Sequence, residues 1–451
     1  MKLARVTTFC IALLMVCSMQ GWSQSSPAEA FENVTIHTAD GNTIESGTIV
    51  WRNGVITDMG KNVSIPFDAY VRDGGDSLHV YPGFIDGMAQ WGSPDVPNDV
   101  DTPDRPGDPS YSRAGIQPQR NPSELLEVGD KALTEAPKHG FTTAGLGLKG
   151  QMLPGQIDLF FIQGSETKDN VLDPGIGVLA QFEEAQGQAY PSTTMGVMSE
   201  YRQLFHDAKA LNQQETYFAS VSSNYPAPEK NQTLEAMYPV MHKEQPLYFV
   251  VDSKENIERM FWLQDELGFE AVLVSGKEAY KKADELKERN IPVLASIDLP
   301  EEPEWRAAQK EEGEEKEKEE PAEEIEEVTD EMRVFRERQL EAYKADIENI
   351  SKLIKSGVKV GYASNGFKLS DIKENLKTLQ EEGNLSKEQI LKMFTQSTAD
   401  ILGYGNKLGD LDEGRIASFT VFTKSFLDEE TKALYSVSDG QITEFESESS
   451  K

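Results

Sequence analysis

The sequence predicts an α/β protein, a (β/α)8 TIM-like barrel carrying additional strands, and three observations lead there. From Phe141 onward, apolar β-prone runs alternate with helical stretches, the pattern of parallel strands joined by right-handed crossovers. Both ends of the chain carry short alternating strands broken by turns. The length, 451 residues, suits one barrel of roughly 250 residues or more with additions.

Taken in order, Met1 to Ser23 reads as a secretory signal peptide, with Lys2 and Arg5 before the apolar run Phe9 to Met19 and small residues at Gly21 and Ser23. A secreted or periplasmic location follows. No stretch is long and apolar enough for a membrane span. Cys10 and Cys17, the two cysteines, both lie inside this segment, so the mature chain has no disulfide and no thiol nucleophile. The net charge of −33 and pI near 4.6 argue against nucleic acid or an anionic membrane as partner.

Residues 31–80 read as strands and turns. Val34–Thr38 and Gly47–Trp51 alternate, and Arg52-Asn53-Gly54 signals a hairpin into Val55–Met59. A strand then covers 83–86. Ser93 to Asn121 is a long loop rich in Pro, Asp, Gly and Ser, of the kind that covers a pocket. A helix is expected from Ser123 to His139, stopped by Gly140.

Further strands are expected at Phe141–Leu148, Ile157–Gln163, Gly177–Phe182, Tyr217–Ser222, Pro246–Asp252, Ala271–Ser275, Pro292–Ile297 and Val358–Ala363. The helices between them are Met195–Leu211, Asn231–His242, Glu255–Leu267, Lys277–Arg289 and Met332–Ser356. The count gives eight barrel strands plus one hairpin. Gly145-Leu-Gly147-Leu-Lys-Gly150 spells a dinucleotide fingerprint, but Pro154-Gly155 breaks the helix that motif needs, so it reads as a barrel loop. Glu301–Glu331 holds 16 acidic and 4 basic residues, and reads as a disordered insert in the barrel. Ser386 to Gln389 is a capping box for the last helix, which ends at Gly403. Strands follow within Leu408–Phe422 and a hairpin at Ser436–Ile442.

Pro82-Gly-Phe-Ile-Asp-Gly-Met-Ala-Gln90 resembles the first barrel strand of the amidohydrolase superfamily, whose signature is PGFID-x-H-x-H. Pro191–Gly196 opening a helix, and Leu408-Gly-Asp-Leu-Asp-Glu-Gly-Arg-Ile-Ala-Ser418 near the end, are similar to the same family. The match most resembles imidazolonepropionase-like members. It implies a small β-sandwich domain built from both chain ends, 31–80 and 405–445, around a barrel at 81–404. It also implies a divalent metal such as zinc, which activates water to hydrolyse a carbon–nitrogen bond.

The positions that resemblance assigns to metal and base are altered. Met88 and Gln90 stand where two histidines are expected. Val250 or Asp252 stands at a third histidine position, Ser275 at a fourth, and Asn365 at the catalytic aspartate. A metal-bridging lysine would align near Phe161. His37 and His79 fall in the N-terminal strands, and His139, His206 and His242 belong to helices or their ends, so none marks a barrel strand end. Without ligands no cofactor is expected.

Three functional readings follow. One is a catalytically degenerate barrel, serving as a binding module or as partner of an active relative or of itself. A second is a metal-independent enzyme using Asp86, Asp252, Asn365 and Lys149. The third is a metal-dependent hydrolase of dipeptide-like or cyclic amide bonds, whose ligands lie elsewhere.

Overall fold

The computed structural model describes residues 26–97, 100–221, 226–307 and 329–445, without the side chains of 165 and 166. The expected signal peptide lies outside the described residues.

Both chain ends enter one sheet. Its N-terminal strands are β1 (Glu29–His37), β2 (Thr43–Arg52), β3 (Val55–Gly60), β4 (Tyr70–Asp73) and β5 (His79–Pro82). Three strands from the other end, β14 (Phe419–Phe422), β15 (Ala433–Ser438) and β16 (Gln441–Glu444), complete it in the order β16-β15-β14-β5-β1-β2-β3, with β4 beside β1. The join is antiparallel, Phe419 opposite Pro82 and Phe422 opposite His79. The expected sandwich is therefore one continuous eight-stranded sheet. It curls strongly, bringing Phe31 of β1 within 5.1 Å of Tyr435 of β15 although two strands separate them. Phe31, Trp51, Val80, Phe419, Val421 and Val437 fill the hollow.

The second sheet runs β6 (Phe84–Ala89), β7 (Phe141–Gly147), β8 (Gly155–Phe161), β9 (Val171–Gln181), β10 (Leu247–Val251), β11 (Ala271–Ser275), β12 (Val293–Ala295) and β13 (Val360–Tyr362). All are parallel except β8, which is antiparallel to both neighbours. Seven parallel strands thus stand where eight were expected. The missing one is Tyr217–Ser222: its described part continues the helix Thr194–Val221. Its aromatic and β-branched residues suggested a strand, yet Tyr217 and Val221 are exposed on the helix, so local β-propensity did not decide the outcome.

The sheet curves without closing as a ladder. β6 is bulged on both sides of Ile85–Asp86 and β13 has three residues, which leaves no regular register between them. The seam is held instead by Asn365 N–H donating to the Met88 carbonyl at 3.1 Å and by Asp86 accepting from Ser364 N–H. Helices cover the outside, where Val197, Tyr201, Leu204, Ile257 and Met260 pack on Phe249, Leu273 and Val293.

Two local expectations change and one holds. The helix at 123–139 is three short pieces, Pro122–Leu125, Lys131–Glu135 and Ala136–His139, because Gly129 breaks it and Asp130 caps the second piece through Ala132 N–H. Gly145 and Gly147 are strand residues of β7, and a Cβ on Gly145 would meet the Gly87 carbonyl at 2.6 Å. The capping box at Ser386 and Gln389 forms as expected.

Both described ends of the acidic segment 301–331 join the fold. Trp305 donates to Gln339 at 3.0 Å, and Arg306 forks onto Glu382 at 2.8 and 3.0 Å while lying over Tyr343. The helix Asp330–Ile347 begins directly after its cap Thr329. The centre, 308–328, lies outside the described residues. Replacing 308–328 with a Gly/Ser linker is expected to leave the melting temperature nearly unchanged. Adding Arg306→Ala should cost about 1 kcal/mol, since the pair is only partly shielded from water. Urea titrations of the two variants separate these outcomes.

Candidate functional site

Because seven strands of the second sheet share one direction, their C-terminal ends gather loops on one face. There a polar cleft of about 450 Å³ is lined by Asp252 after β10, Ser275 and Lys277 after β11, Ser296 and Asp298 after β12, and Ser364 to Lys368 with Asp371 after β13. Lys277 and Asp298 pair at 2.5 Å across its lip. Ser275 and Asn365 hold left-handed backbone, φ +73° and +43°. That strain is stored where a site is expected. At Ser275 the surroundings enforce it: Gly276 N–H donates to Val251 O at 2.9 Å, and Asn349 donates to Gly276 O at 2.9 Å.

Directly beneath, the barrel interior is apolar. Met88 is fully buried in one cluster with Ile85, Ile157, Leu179, Tyr248, Val274 and Leu294. A Cβ placed on Gly147 would sit 3.5 Å from the Met88 sulfur, and one on Gly87 would meet a Leu294 methyl at 2.5 Å. There is no cradle here for an ion. The thioether is a packing element.

The structure therefore divides the six candidate positions. Asp252, Ser275 and Asn365 share the polar cleft. Gln90 lines a neighbouring cleft of about 420 Å³ with Trp91, Lys131, Glu135, His139 and Lys149. Met88 and Val250 pack in the barrel cluster. Phe161 is a correction: it ends β8, the reversed strand, opposite Thr143 at the start of β7. It lies at the far end of the barrel from the other candidates.

Asp86 is wholly buried beside the seam. Its carboxylate accepts Met88 N–H at 3.1 Å and Ser364 N–H at 3.1 and 3.2 Å. Burial pushes its pKa up to about 7, against the pull of the Ser364 and Met88 hydrogen bonds. It holds two strands together and does not reach the cleft, so the metal-independent reading loses one of its four groups. Lys149, another of the four, pairs with Asp95 at 2.8 Å.

The histidines are scattered. His37 and His79 face each other in the first sheet, Nε2 to Nδ1 at 3.0 Å, and His37 stacks on Tyr81. Burial, with Lys387 and His79 adding repulsion, pulls His37 down to about 4. His206 and His242 are exposed, and His139 is half-buried. Sequence reasoning gave His139 no part in a cleft; its helix-end position offered no signal for one. Among the described residues no group of three or more His, Cys, Asp or Glu is placed to hold a metal ion. The thioether of Met88, the amides of Gln90 and Asn365, the alkyl group of Val250 and the hydroxyl of Ser275 do not fit a divalent hydrolytic metal, which takes imidazole, thiolate or carboxylate, and the one carboxylate among these positions, Asp252, is a single ligand.

Residues 265–444 match the family model described as the amidohydrolase family. Among solved structures, an amidohydrolase from Thermotoga maritima MSB8 superposes with a TM-score of 0.71 at 20% identity, covering 92% of this chain and 99% of its own. A prolidase complexed with N-methylphosphonate-L-proline gives 0.52 at 14% identity, over 93% and 100%. A further amidohydrolase gives 0.51 at 14%, over 93% and 99%. At these identities the superpositions speak for the fold alone. No curated protein sequence matches the chain.

Proposed function

We propose, for a chain that belongs to the amidohydrolase superfamily through residues 265–444, that its barrel is catalytically degenerate and works as an exported binding module. The observation that carries this reading is the packing of Met88. A working site needs open space and convergent ligands at that strand end, and here a buried side chain fills it within a hydrophobic cluster. Without a metal, water keeps its bulk pKa and no hydroxide nucleophile forms. The polar cleft above it remains accessible, with carboxylates, hydroxyls and an amide that could orient a small polar ligand. Pairing with an active relative or with a second copy is compatible with the same reading.

The test is direct. Protein purified without chelator and supplied with Zn²⁺, Mn²⁺ or Fe²⁺ is expected to retain no stoichiometric metal. It is also expected to leave a panel of dipeptides and cyclic amides intact. One tightly held ion per chain, with turnover abolished by chelator, would overturn the proposal in favour of a C–N hydrolase.

A further inference from the structure

A cluster of titratable groups lies where the first sheet meets the last barrel helix, apart from both clefts. His37 of β1 and His79 of β5 meet directly, Nε2 to Nδ1 at 3.0 Å, and the Thr43 hydroxyl of β2 lies 3.2 Å from the other His37 nitrogen. The His37 ring stacks on Tyr81 with 4.2 Å between centroids, and Tyr81 packs edge-on against Phe422 and Phe426. Lys387 opens the helix Lys387–Lys392 and sets its ammonium 5.8 Å from the Tyr81 ring and 5.7 Å from that of Phe426. The turn after β1 touches the same helix: a Cβ on Gly41 would meet Glu388 at 2.8 Å.

A bond between two imidazoles needs one facing nitrogen to donate and the other to accept. The pair can take up one proton and keep it. With both rings charged, both facing nitrogens carry hydrogen and the contact turns repulsive. Lys387 is a third positive charge in the cluster, and burial together with that charge lowers the pKa of both histidines, His37 to about 4. The carboxylates of the region are engaged elsewhere. Asp410 accepts the Ala39 and Leu411 N–H groups, Asp40 lies 4.0 Å from Lys392, and Glu388 accepts from the Ser386 hydroxyl. Among the described residues no carboxylate bonds either imidazole.

We infer that the His37–His79 pair is an acid-sensitive latch, which holds the first sheet against the last barrel helix while one imidazole is neutral and releases it when both are charged. An imidazole in an open, solvated state titrates near 6.5. Between that value and about 4 the open form therefore binds more protons than the latched one, and lowering the pH favours opening. Above about pH 6.5 the latch has its full strength, and below about pH 4 it loses no more. No residue lining either cleft takes part, so the latch holds whether or not the barrel is degenerate.

Hydrogen exchange on the full chain at pH 7 and pH 4, corrected for the intrinsic rate at each pH, tests this. Peptides covering 387–401 and 419–432 are expected to exchange at least about tenfold faster at pH 4, while β10 and β11 keep their protection. His79→Gln retains a hydrogen-bonding partner for His37 but does not titrate, and should abolish the acid response. His37→Gln serves as the second variant should His79→Gln fail to fold. Proton NMR of the imidazoles, assigned through the same variants, should show two coupled titrations below 6.5, and Lys387→Gln should move both to higher pH. Independent titrations near 6.5, no shift in Lys387→Gln, no acid response at 387–401, or the same response in the folded histidine variants would each overturn the inference.

Discussion

Removing residues 405–451 is expected to yield aggregated protein with no cooperative melting transition. β14 sits in the interior of the first sheet, paired to β5 on one side and β15 on the other. Its loss uncovers the whole β5 edge, an unpaired row of N–H and C=O groups. The same cut removes Phe419, Val421 and Val437 from the cluster around Phe31 and Trp51. Trp51 would also lose its acceptor, the Gly440 carbonyl at 3.0 Å. The damage reaches the barrel, because Ser418 donates to Thr142 at 2.7 Å, Thr420 to Gly140 O at 3.1 Å and Ser438 to Thr142 O at 2.7 Å, all at the foot of β7. Size-exclusion chromatography and calorimetry decide it: a monodisperse truncation with a sharp transition would show that the N-terminal strands fold without their partners.

Much of this arrangement could be read in the sequence, for identifiable reasons. The parallel strands announced themselves because both faces are buried, which makes β10 and β11 nearly continuous apolar runs. The capping box at Ser386 was legible because its chemistry is local. Tyr217–Val221 misled for the same reason: propensity is local, and the helix Thr194–Val221 overrode it. Nothing local distinguishes Ile157–Phe161 as the reversed strand, so Phe161 was assigned to the wrong end of the barrel. The candidate site was legible as a list of positions in the chain. Its division into a polar cleft above and an apolar plug below depended on which strand faces curve inward.

Asp86 should make the protein less stable as pH rises from about 4 to about 7. An aspartate in an unfolded chain titrates near 3.9, whereas burial raises this one to about 7 in the folded state. Between those values the folded protein holds a proton that the unfolded chain has released. Raising the pH therefore favours unfolding. Below about pH 4 both states are protonated and the full benefit is present; above about pH 7 it is gone, and the curve flattens. Three pH units across a wholly buried group amount to about 4 kcal/mol as an upper figure. Other groups also contribute to the pH dependence of the whole protein, so the effect is read as a difference between two proteins. Asp86→Asn removes the titration while its amide oxygen can still accept the Ser364 and Met88 N–H groups across the seam. Urea unfolding of both proteins at several pH values from 4 to 8 gives the difference. The stability of the unaltered protein relative to Asp86→Asn should fall steadily through the window and stay constant above it. Two parallel profiles would mean that Asp86 is ionised throughout and that the strand seam is held by a charge.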